Sequence, residues 1–311
     1  MKLLGVCAGA EGGSAEIALK AALMEAETAG AEVAWLRLDD MRISTGSLFG
    51  PADDDCKWFY EQVIAADGVV YSAPIYSRTV PGKLRMLCDR VFGPHADTGF
   101  IELLMEKERA GEPITVPFRP DERVLRPRVA AFIAVGGALT PQWHTLALPM
   151  MHTLAFSMRS GIVDQIVLSG SGTPRSIVLN REALDRARQL GANVARQLGR
   201  SFEEVEYRGE PGLCPLCHLS LIAVRGDVAE CGGCGAEGRA EMRDGRFAVS
   251  FSPEGLAKSV LHPVEKRAHS QEILDTAARH AARAEEIAAG AAVFAEWDHR
   301  VRPQTVVEVA G

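Results

Sequence analysis

The sequence predicts an α/β protein with a doubly wound, five-stranded parallel sheet, followed by a small cysteine-rich module. In the first 200 residues, short apolar or β-branched segments alternate with longer segments of helical pattern, which is the order of right-handed βαβ units. The chain has 311 residues, enough for one large core and an additional module. Two close cysteine pairs late in the chain predict that module.

Each element of the sheet domain follows from this alternation. The predicted strands are the segments Lys2–Ala8, Ala31–Leu36, Gly68–Ser72, Val129–Val135 and Ile162–Leu168. The predicted helices between and after them are about Ser14–Ala29, Asp53–Ala66, Gly82–Phe92, Pro141–Met158 and Arg181–Leu198. Five such units favour a flavodoxin-like strand order, 2-1-3-4-5.

The composition divides the chain into three parts. Residues 1–206 carry the α/β pattern, residues 207–251 are rich in glycine and cysteine, and residues 252–311 contain a helix and a tail. The connection 93–128 is long and rich in proline. Connections of that length are usually functional or disordered, so we interpret it as a surface excursion, a dimer arm or a lid over the site.

The C-terminal part is Ala-rich over Ala277–Glu296, with apolar Ile287, Val293 and Phe294. This helix is expected to pack on its own core or across a dimer seam. The tail ends in a strand-like Val306–Val309 segment.

Composition and charge exclude several classes of function. Hydrophobic residues make up 47% and charged residues 24% of the chain, and no apolar run approaches the roughly 20 residues of a membrane helix. A net charge of -7 argues against broad nucleic-acid binding, which depends on Lys and Arg. The segment Met1–Val6 is too short for a secretion signal. Seven cysteines without such a signal predict a cytoplasmic, reducing environment and metal binding.

A glycine-rich turn joins the first strand to the first helix. Such a turn lets backbone N–H groups approach an anion closely, and Ser14 is expected to cap the helix. The candidate anion-binding residues are Gly9, Ala10, Glu11, Gly12, Gly13 and Ser14. Their spacing does not fit a dinucleotide fingerprint, and an ordinary strand-to-helix turn is the alternative.

Two further loops follow the third and fourth strands. Parallel sheets bind ligands at the carboxyl ends of their strands, so these loops are expected to meet the glycine-rich turn. Tyr76 offers a flat aromatic face, whereas the glycines allow close approach of a planar ring. The candidate residues are Pro74, Ile75, Tyr76 and Ser77 in one loop, and Gly136, Gly137 and Ala138 in the other.

In these segments the sequence resembles the NAD(P)H-dependent FMN reductase family, close to its iron–sulfur flavoprotein branch. The matching segments are Gly5–Ser14, Gly30–Val33, Asp53–Asp54, Ala66–Tyr76, Pro81–Leu84, Cys88–Arg90 and Gly136–Gly137. The resemblance implies FMN, with its phosphate on the glycine-rich turn and its isoalloxazine ring between the other two loops. It also implies a homodimer or homotetramer.

Two departures from the family pattern have consequences. Family members commonly carry an Arg in the phosphate loop, but this chain has Glu11 and no basic residue from Val6 to Leu19. Glu11 is therefore expected to face solvent, with main-chain amides anchoring the phosphate. The cysteine cluster of the iron–sulfur branch is also missing after the second strand, where only Cys56 follows, so no cubane cluster is expected there.

The activity implied by the resemblance is two-electron transfer from NAD(P)H, through flavin N5, to a quinone, nitro, azo or flavin acceptor. The alternatives are a flavodoxin-like electron-transfer subunit serving a partner protein, and a metal-stapled scaffold without flavin. His144 could donate a proton to a quinone-like acceptor. The other interpretation of His144 is a helix-start histidine with a structural hydrogen bond. Arg78 and Arg85 could meet an anionic substrate.

The strongest single motif is a pair of C-x-x-C knuckles separated by thirteen residues. Two such knuckles close a tetrahedral metal site. The predicted ligands are Cys214, Cys217, Cys231 and Cys234. A zinc ribbon is favoured over a rubredoxin-type iron site, because no aromatic residue lies between the first and the last of these cysteines. His218 is expected to be a bystander.

Overall fold

The computed structural model describes residues 1–50, 53–295 and 301. The central sheet has five parallel strands in the order β2-β1-β3-β4-β5, which confirms the predicted flavodoxin-like order. The strands are β1 (Lys2–Cys7), β2 (Glu32–Arg37), β3 (Gly68–Pro74), β4 (Val129–Val135) and β5 (Gly161–Leu168). Because β2 and β3 flank β1, the strand order reverses there, and the carboxyl ends of β1 and β3 border a crevice.

Helices cover both faces of the sheet, which is why β4 is buried along its whole length and reads as a continuous apolar run. Two helices, α1 (Ser14–Thr28) and α6 (Arg181–Ala195), pack on one face. Three others pack on the opposite face: α2 (Cys56–Ala65), α3 (Gly82–Val91) and α5 (Ala147–Phe156).

Two of the predicted helices begin later than the sequence pattern indicates. Helix α2 starts at Cys56 because the Asp54 carboxylate accepts a hydrogen bond from the Cys56 N–H and is fixed by a buried ion pair with Arg90 at 2.8 Å. Helix α5 starts at Ala147, because the preceding Pro141–Trp143 segment forms a separate 3-10 turn. His144 therefore lies in the loop between this turn and α5, and not within the helix.

The long connection contains an additional helix, α4 (Thr98–Arg109), which begins where the Asp97 carboxylate accepts hydrogen bonds from two first-turn amides. Its Phe100 and Ile101 side chains are buried. The connection runs from the end of α3 to the start of β4, and both lie at the amino edge of the sheet, opposite the carboxyl edge. This packing lends no support to a lid, whereas the dimer arm stays a prediction.

Arg128 fixes the point at which this connection rejoins the sheet. Its guanidinium is buried and donates hydrogen bonds to the carbonyl oxygens of Ile64 (2.8 Å), Arg123 (2.7 Å), Val124 (3.1 Å) and Arg126 (3.0 Å). Burial lowers the pKa of Arg128 to about 10. The carbonyls hold the cation in a fixed position directly before β4.

A second, antiparallel sheet follows the α/β domain, in the order β6-β7-β8-β9. Its strands are β6 (Ile222–Arg225), β7 (Val228–Cys231), β8 (Glu237–Arg243) and β9 (Arg246–Ser250). The chain continues into the helices α7 (Pro253–Leu256), α8 (Pro263–Ala281) and α9 (Ala284–Ala295). Across the described ranges, no helix combines the length and the apolar character that crossing a lipid bilayer needs.

The two long C-terminal helices differ in their packing. Helix α8 lies against α4, where the buried Lys266 ammonium pairs with the Asp97 carboxylate at 2.5 Å. Helix α9 is exposed along its whole length, with Val293 and Phe294 showing 76% and 77% of their surface. The expectation that this helix packs on its own core is therefore wrong for its described residues. Glu296 and the Val306–Val309 segment lie outside the described residues.

We expect His95, at the start of the long connection, to make stability pH-dependent. Its ring lies between Phe49, Tyr60 and Phe118, and burial lowers its pKa to about 4. Since an unfolded histidine has a pKa near 6.5, the unfolded chain binds the extra proton as the pH falls from about 6.5 to 4. When the pH falls from 7.5 to 5, the free energy of unfolding of the wild type should therefore decrease by about 2 kcal/mol more than that of His95→Phe.

Urea denaturation at the two pH values measures this difference, and changes in packing that are independent of pH cancel. The matched control is His280→Phe on the exposed end of α8, which should keep the wild-type pH dependence. Equal pH dependence for His95→Phe and the wild type would contradict the assignment.

Candidate functional site

The loops that follow β1, β3, β4 and β5 meet at the carboxyl edge of the sheet. In the first loop Gly12 adopts a positive φ of 63°. Gly13 is the residue that precedes α1 in an extended conformation, and a Cβ there would lie 2.9 Å from the Ala10 carbonyl oxygen. Ser14 is already helical and its hydroxyl accepts from the Ile177 N–H at 3.5 Å. The prediction that Ser14 caps the helix is therefore wrong.

Acidic side chains near this loop are neutralised by neighbouring cations. Glu11 faces solvent, as expected, with 85% of its side chain exposed and its carboxylate 3.4 Å from the Arg37 guanidinium. The Glu16 carboxylate is buried in the first turn of α1, where it accepts from the Gly12 N–H at 3.1 Å and from Lys20 at 2.5 Å. Burial alone would raise the pKa of Glu16, but these hydrogen bonds and the nearby cations lower it overall.

A cation reaches the first loop from a distant part of the chain. Arg175 follows β5, and its guanidinium nitrogens lie 3.5 Å from the position that a Cβ on Gly12 would occupy. Its backbone adopts a positive φ of 66°, which is uncommon for a residue other than glycine. The sequence predicts a phosphate loop served by main-chain amides alone, and the structure adds a guanidinium beside the same loop.

A tight two-residue turn holds Tyr76 at the edge of the sheet. Tyr76 and Thr79 exchange backbone hydrogen bonds of 2.8 and 3.0 Å, and the intervening Ser77 and Arg78 both have positive φ angles, 47° and 75°. Strained backbone of this kind clusters at functional sites. Tyr76 is 59% exposed, so its ring presents a free aromatic face.

Arg78 connects this turn to the loop after β4. Its guanidinium donates to the Gln142 carbonyl oxygen at 3.0 Å and to the Thr145 hydroxyl at 2.7 Å. Arg85 likewise bonds Thr153 at 3.2 Å and pairs with Asp89. Both guanidiniums are thus engaged within the chain, which weakens their candidacy as ligands for an anionic substrate.

The loop after β4 is closely packed because it lacks side chains. A Cβ on Gly136 would lie 2.6 Å from Nε2 of His144, and a Cβ on Gly137 would lie 2.7 Å from the α carbon of Gly172. The Ser171 N–H also donates to the Gly136 carbonyl oxygen at 3.0 Å. Only glycine allows the loops after β4 and β5 to touch through their backbones. Ala138, next in the loop, is half-buried.

His144 lies at this contact, buried under the rim. Its Nδ1 is 3.4 Å from the Ser169 hydroxyl, and its Nε2 has no hydrogen-bond partner among the described residues. The Thr79 and Ser171 hydroxyls are also buried without partners in the described part of the chain. Buried polar atoms are normally bonded, so these three groups near the rim are places where a bound water or ligand would supply the missing partner.

An apolar cleft of about 460 Å³ opens beside His144. One wall comes from the loop after β4 and the start of α5, including Leu139 and Leu148, and the opposite wall from Leu219 and Leu221. A volume in this range suits a drug-sized ligand.

The four predicted metal ligands come together as the spacing indicates. Their sulfur atoms all lie within 4.8 Å of one another and are buried, with 3.6 Å between Cys214 and Cys234 and 3.5 Å between Cys217 and Cys231. Zinc–sulfur bonds of about 2.3 Å in a tetrahedron give edges of roughly 3.8 Å. Metal-bound cysteines are thiolates, and a cation at the centre of the cluster would offset the repulsion between four buried negative charges.

His218 is not part of this group of sulfur ligands. Its ring stacks on Tyr207 with 3.8 Å between the centroids, and its carbonyl oxygen accepts from the Gln165 side chain at 2.8 Å. Burial lowers its pKa to about 4. The bystander interpretation agrees with these contacts.

Sequence reasoning missed Arg175, Thr79 and Ser171. Arg175 and Ser171 belong to a Gly- and Ser-rich segment after the fifth strand, which resembles the other rim loops in composition. That segment was the available signal, since parallel strands bring all such loops to one edge.

These features define a flavodoxin-like protein with a candidate ligand site at the carboxyl rim of its sheet and a cluster of four cysteines that could hold a metal ion. The family model of NADPH-dependent FMN reductases matches residues 1–174. The chain belongs to this family and is an oxidoreductase.

Two similar proteins extend the comparison over nearly the whole chain. Flavone synthase cfoJ of Aspergillus candidus is 36% identical, over 88% of this chain and 88% of the relative. A solved structure of a flavone reductase superposes with a TM-score of 0.83 at 29% identity, covering 98% of this chain and 100% of that one.

The rim fits the FMN that the family uses. The first loop has Arg175 beside Gly12, Tyr76 offers a flat face, and Gly137 adds no side chain to the rim in the way of a planar ring. The unpartnered Thr79 and Ser171 hydroxyls can serve the polar edge of such a ring.

We expect Arg175→Ala to weaken FMN binding about 10- to 100-fold, because a hydrogen bond between a guanidinium and a phosphate contributes roughly 1.5–3 kcal/mol. Quenching of FMN fluorescence during titration of the apoprotein measures the dissociation constant. The matched control is Arg181→Ala, an exposed arginine at the start of α6, which should bind FMN as the wild type does. An unchanged FMN dissociation constant for Arg175→Ala would indicate that main-chain amides alone bind the phosphate.

Proposed function

We propose that this protein is an FMN-dependent NAD(P)H oxidoreductase whose acceptor is a flavonoid, a planar aromatic ketone with a carbon–carbon double bond conjugated to the carbonyl. The observation that carries the proposal is the apolar cleft of about 460 Å³ beside His144 and the glycine rim. The names of the two similar proteins, a flavone synthase and a flavone reductase, support the same substrate class.

When bound, FMN supplies hydride transfer between NAD(P)H and the acceptor. The residues of the chain orient the reactants around it. Tyr76 and Ile75, directly after β3, would wall the ring of a bound flavin. The leucines of the cleft would hold a planar acceptor and exclude water.

A proton must accompany the hydride, because saturation of a conjugated double bond takes up one of each. His144 is a titratable side chain at the rim, and its buried Nε2, which faces Gly136, is free of partners among the described residues. The Ser169 hydroxyl bonds Nδ1 and orients the ring. We therefore assign proton transfer to His144.

The family resemblance implies a quinone, nitro, azo or flavin acceptor. These acceptors form the comparison set for the flavonoid. The electron-transfer subunit remains the alternative, and it requires a partner protein for turnover. A formed cleft for a small molecule favours the enzyme.

For the four-cysteine site we propose zinc over rubredoxin-type iron. The spacing of the sulfurs suits a closed tetrahedral site, and the segment between the knuckles contains no aromatic residue. Elemental analysis of the purified protein distinguishes the two metals.

We further propose a homodimer or homotetramer in the cytoplasm. Helix α9 exposes Ile287, Val293 and Phe294 without any contact to a core of the described chain, and contiguous exposed apolar surface usually marks an interaction site. Sedimentation of the full chain and of a chain ending at Ala282 should show fewer subunits in the oligomer formed by the shorter chain.

The function is tested by following NAD(P)H oxidation with flavone and, separately, with menadione, a nitroaromatic and an azo dye. We expect flavone to give the highest kcat/KM without any added protein. His144→Gln should lower the rate of acceptor reduction about 100-fold, the usual scale for losing a general acid, because the hydride acceptor lacks its proton. The rate of flavin reduction by NAD(P)H should stay within about twofold.

The matched control is His269→Gln on the exposed face of α8, which should leave both half-reactions unchanged. Equal loss in both half-reactions of His144→Gln would assign it a structural role. Turnover only after a partner protein is added would favour the electron-transfer subunit.

A further inference from the structure

The cysteine ribbon forms one wall of the acceptor cleft. Leu219, Ser220 and Leu221 lie between the two knuckles in sequence. The opposite wall comes from His144, in the loop before α5, and from Leu148 on α5. The metal site and the candidate acceptor site therefore share a single three-residue segment. The following inference rests on the proposed function of that cleft.

The backbone of this segment is bound to both knuckles. The Cys214 N–H donates to the Leu219 carbonyl oxygen at 3.0 Å, and the Gly232 N–H donates to the Leu221 carbonyl oxygen at 2.8 Å. The Leu219 side chain is buried among the four cysteines. Because a metal joins the two knuckles, it also fixes the segment that spans them.

The start of the segment between the knuckles, and the chain that follows the ribbon, are attached to the α/β domain by hydrogen bonds that need no metal. The Gln165 side chain on β5 donates to the His218 carbonyl oxygen at 2.8 Å, and the Arg159 guanidinium donates to the Leu261 carbonyl oxygen at 2.8 Å. Loss of the metal is therefore expected to loosen Leu219–Leu221 before it releases the module.

The hydroxyl groups of the cleft indicate what it recognises. The Ser220 oxygen accepts from the Leu213 N–H at 3.2 Å, and the Thr145 oxygen accepts from Arg78 at 2.7 Å. Each hydroxyl keeps its proton for donation, and both residues line the cleft. An apolar slot with hydroxyl donors at its edge suits a flat aromatic ligand that carries carbonyl or phenolic oxygens.

We propose that Leu219–Leu221 is the specificity-determining wall of the acceptor site, and that the metal sets the width of the cleft by holding this wall between the knuckles. The ribbon then acts in substrate selection within its own chain. The ligand of the cleft is a planar, oxygen-bearing aromatic compound such as a flavone.

The test uses the FMN-loaded protein, with flavone and menadione as probes and the perturbation of the flavin absorbance as the readout of binding. Leu221→Trp should raise the dissociation constant of flavone at least tenfold by filling the cleft, with FMN affinity unchanged. The matched control is Val224→Trp, an exposed apolar position of the same ribbon outside the cleft, which should bind flavone as the wild type does.

A second measurement addresses the metal. Chelation should leave FMN bound and raise the dissociation constant of flavone at least fivefold, and added zinc should restore it. Ser220→Ala should weaken a hydroxylated flavone more than it weakens menadione, because only the former spans the hydroxyl edge.

The outcomes separate this inference from the proposed function. If Leu221→Trp, Val224→Trp and the wild type bind flavone equally well, Leu219–Leu221 does not determine specificity. The reductase assignment then stands. If the protein binds menadione in a way that depends on Leu221 but does not bind flavone, the proposal of a flavonoid acceptor is wrong. The role of Leu219–Leu221 as the specificity-determining wall is then supported. Absence of binding by either probe overturns both. Flavone affinity unchanged after chelation, with FMN retained, overturns the role of the metal.

Discussion

The close backbone contact between the loops after β4 and β5 is the constraint on which the site depends. Gly137 and Gly172 lie so close together that a Cβ on either would crowd the other. A Cβ on Gly136 would meet the His144 ring. This contact sets the floor of the rim and the position of His144. It also brings the segment that carries Arg175 toward the first loop, so that three loops from distant parts of the chain form one concave surface.

Much of the fold was predictable from local pattern. Alternating strands and helices fix a parallel sheet with few permitted topologies, and the C-x-x-C knuckles gather their own ligands. Within the site, the glycine loops and Tyr76 were predictable for the same reason. Arg175 was not, because its role comes from a non-local approach to Gly12. The turn at Ser77 and Arg78 was also hidden, since neither residue is one that a positive φ favours.

The ribbon is integrated with the α/β domain and does not hang from it as a separate module. Leu148 and Phe156 of α5 pack against the cluster that contains the four cysteines, and Gln165 links His152 on α5 to His218 on the ribbon. Burial lowers the pKa of His152 to about 4, so this bridge stays uncharged at neutral pH. A small domain that cannot build a sufficient core alone thereby gains apolar contacts from its neighbour.

The carbonyl cage around Arg128 has an evolutionary consequence. It anchors the chain immediately before β4 at the end of the sheet remote from the reaction. Changes of length in the exposed segment 110–117 can then be absorbed ahead of the anchor without disturbing the register of β4. The two ends of the sheet are thus under different constraints, since surface elements can change at one end while the rim loops at the other keep their positions.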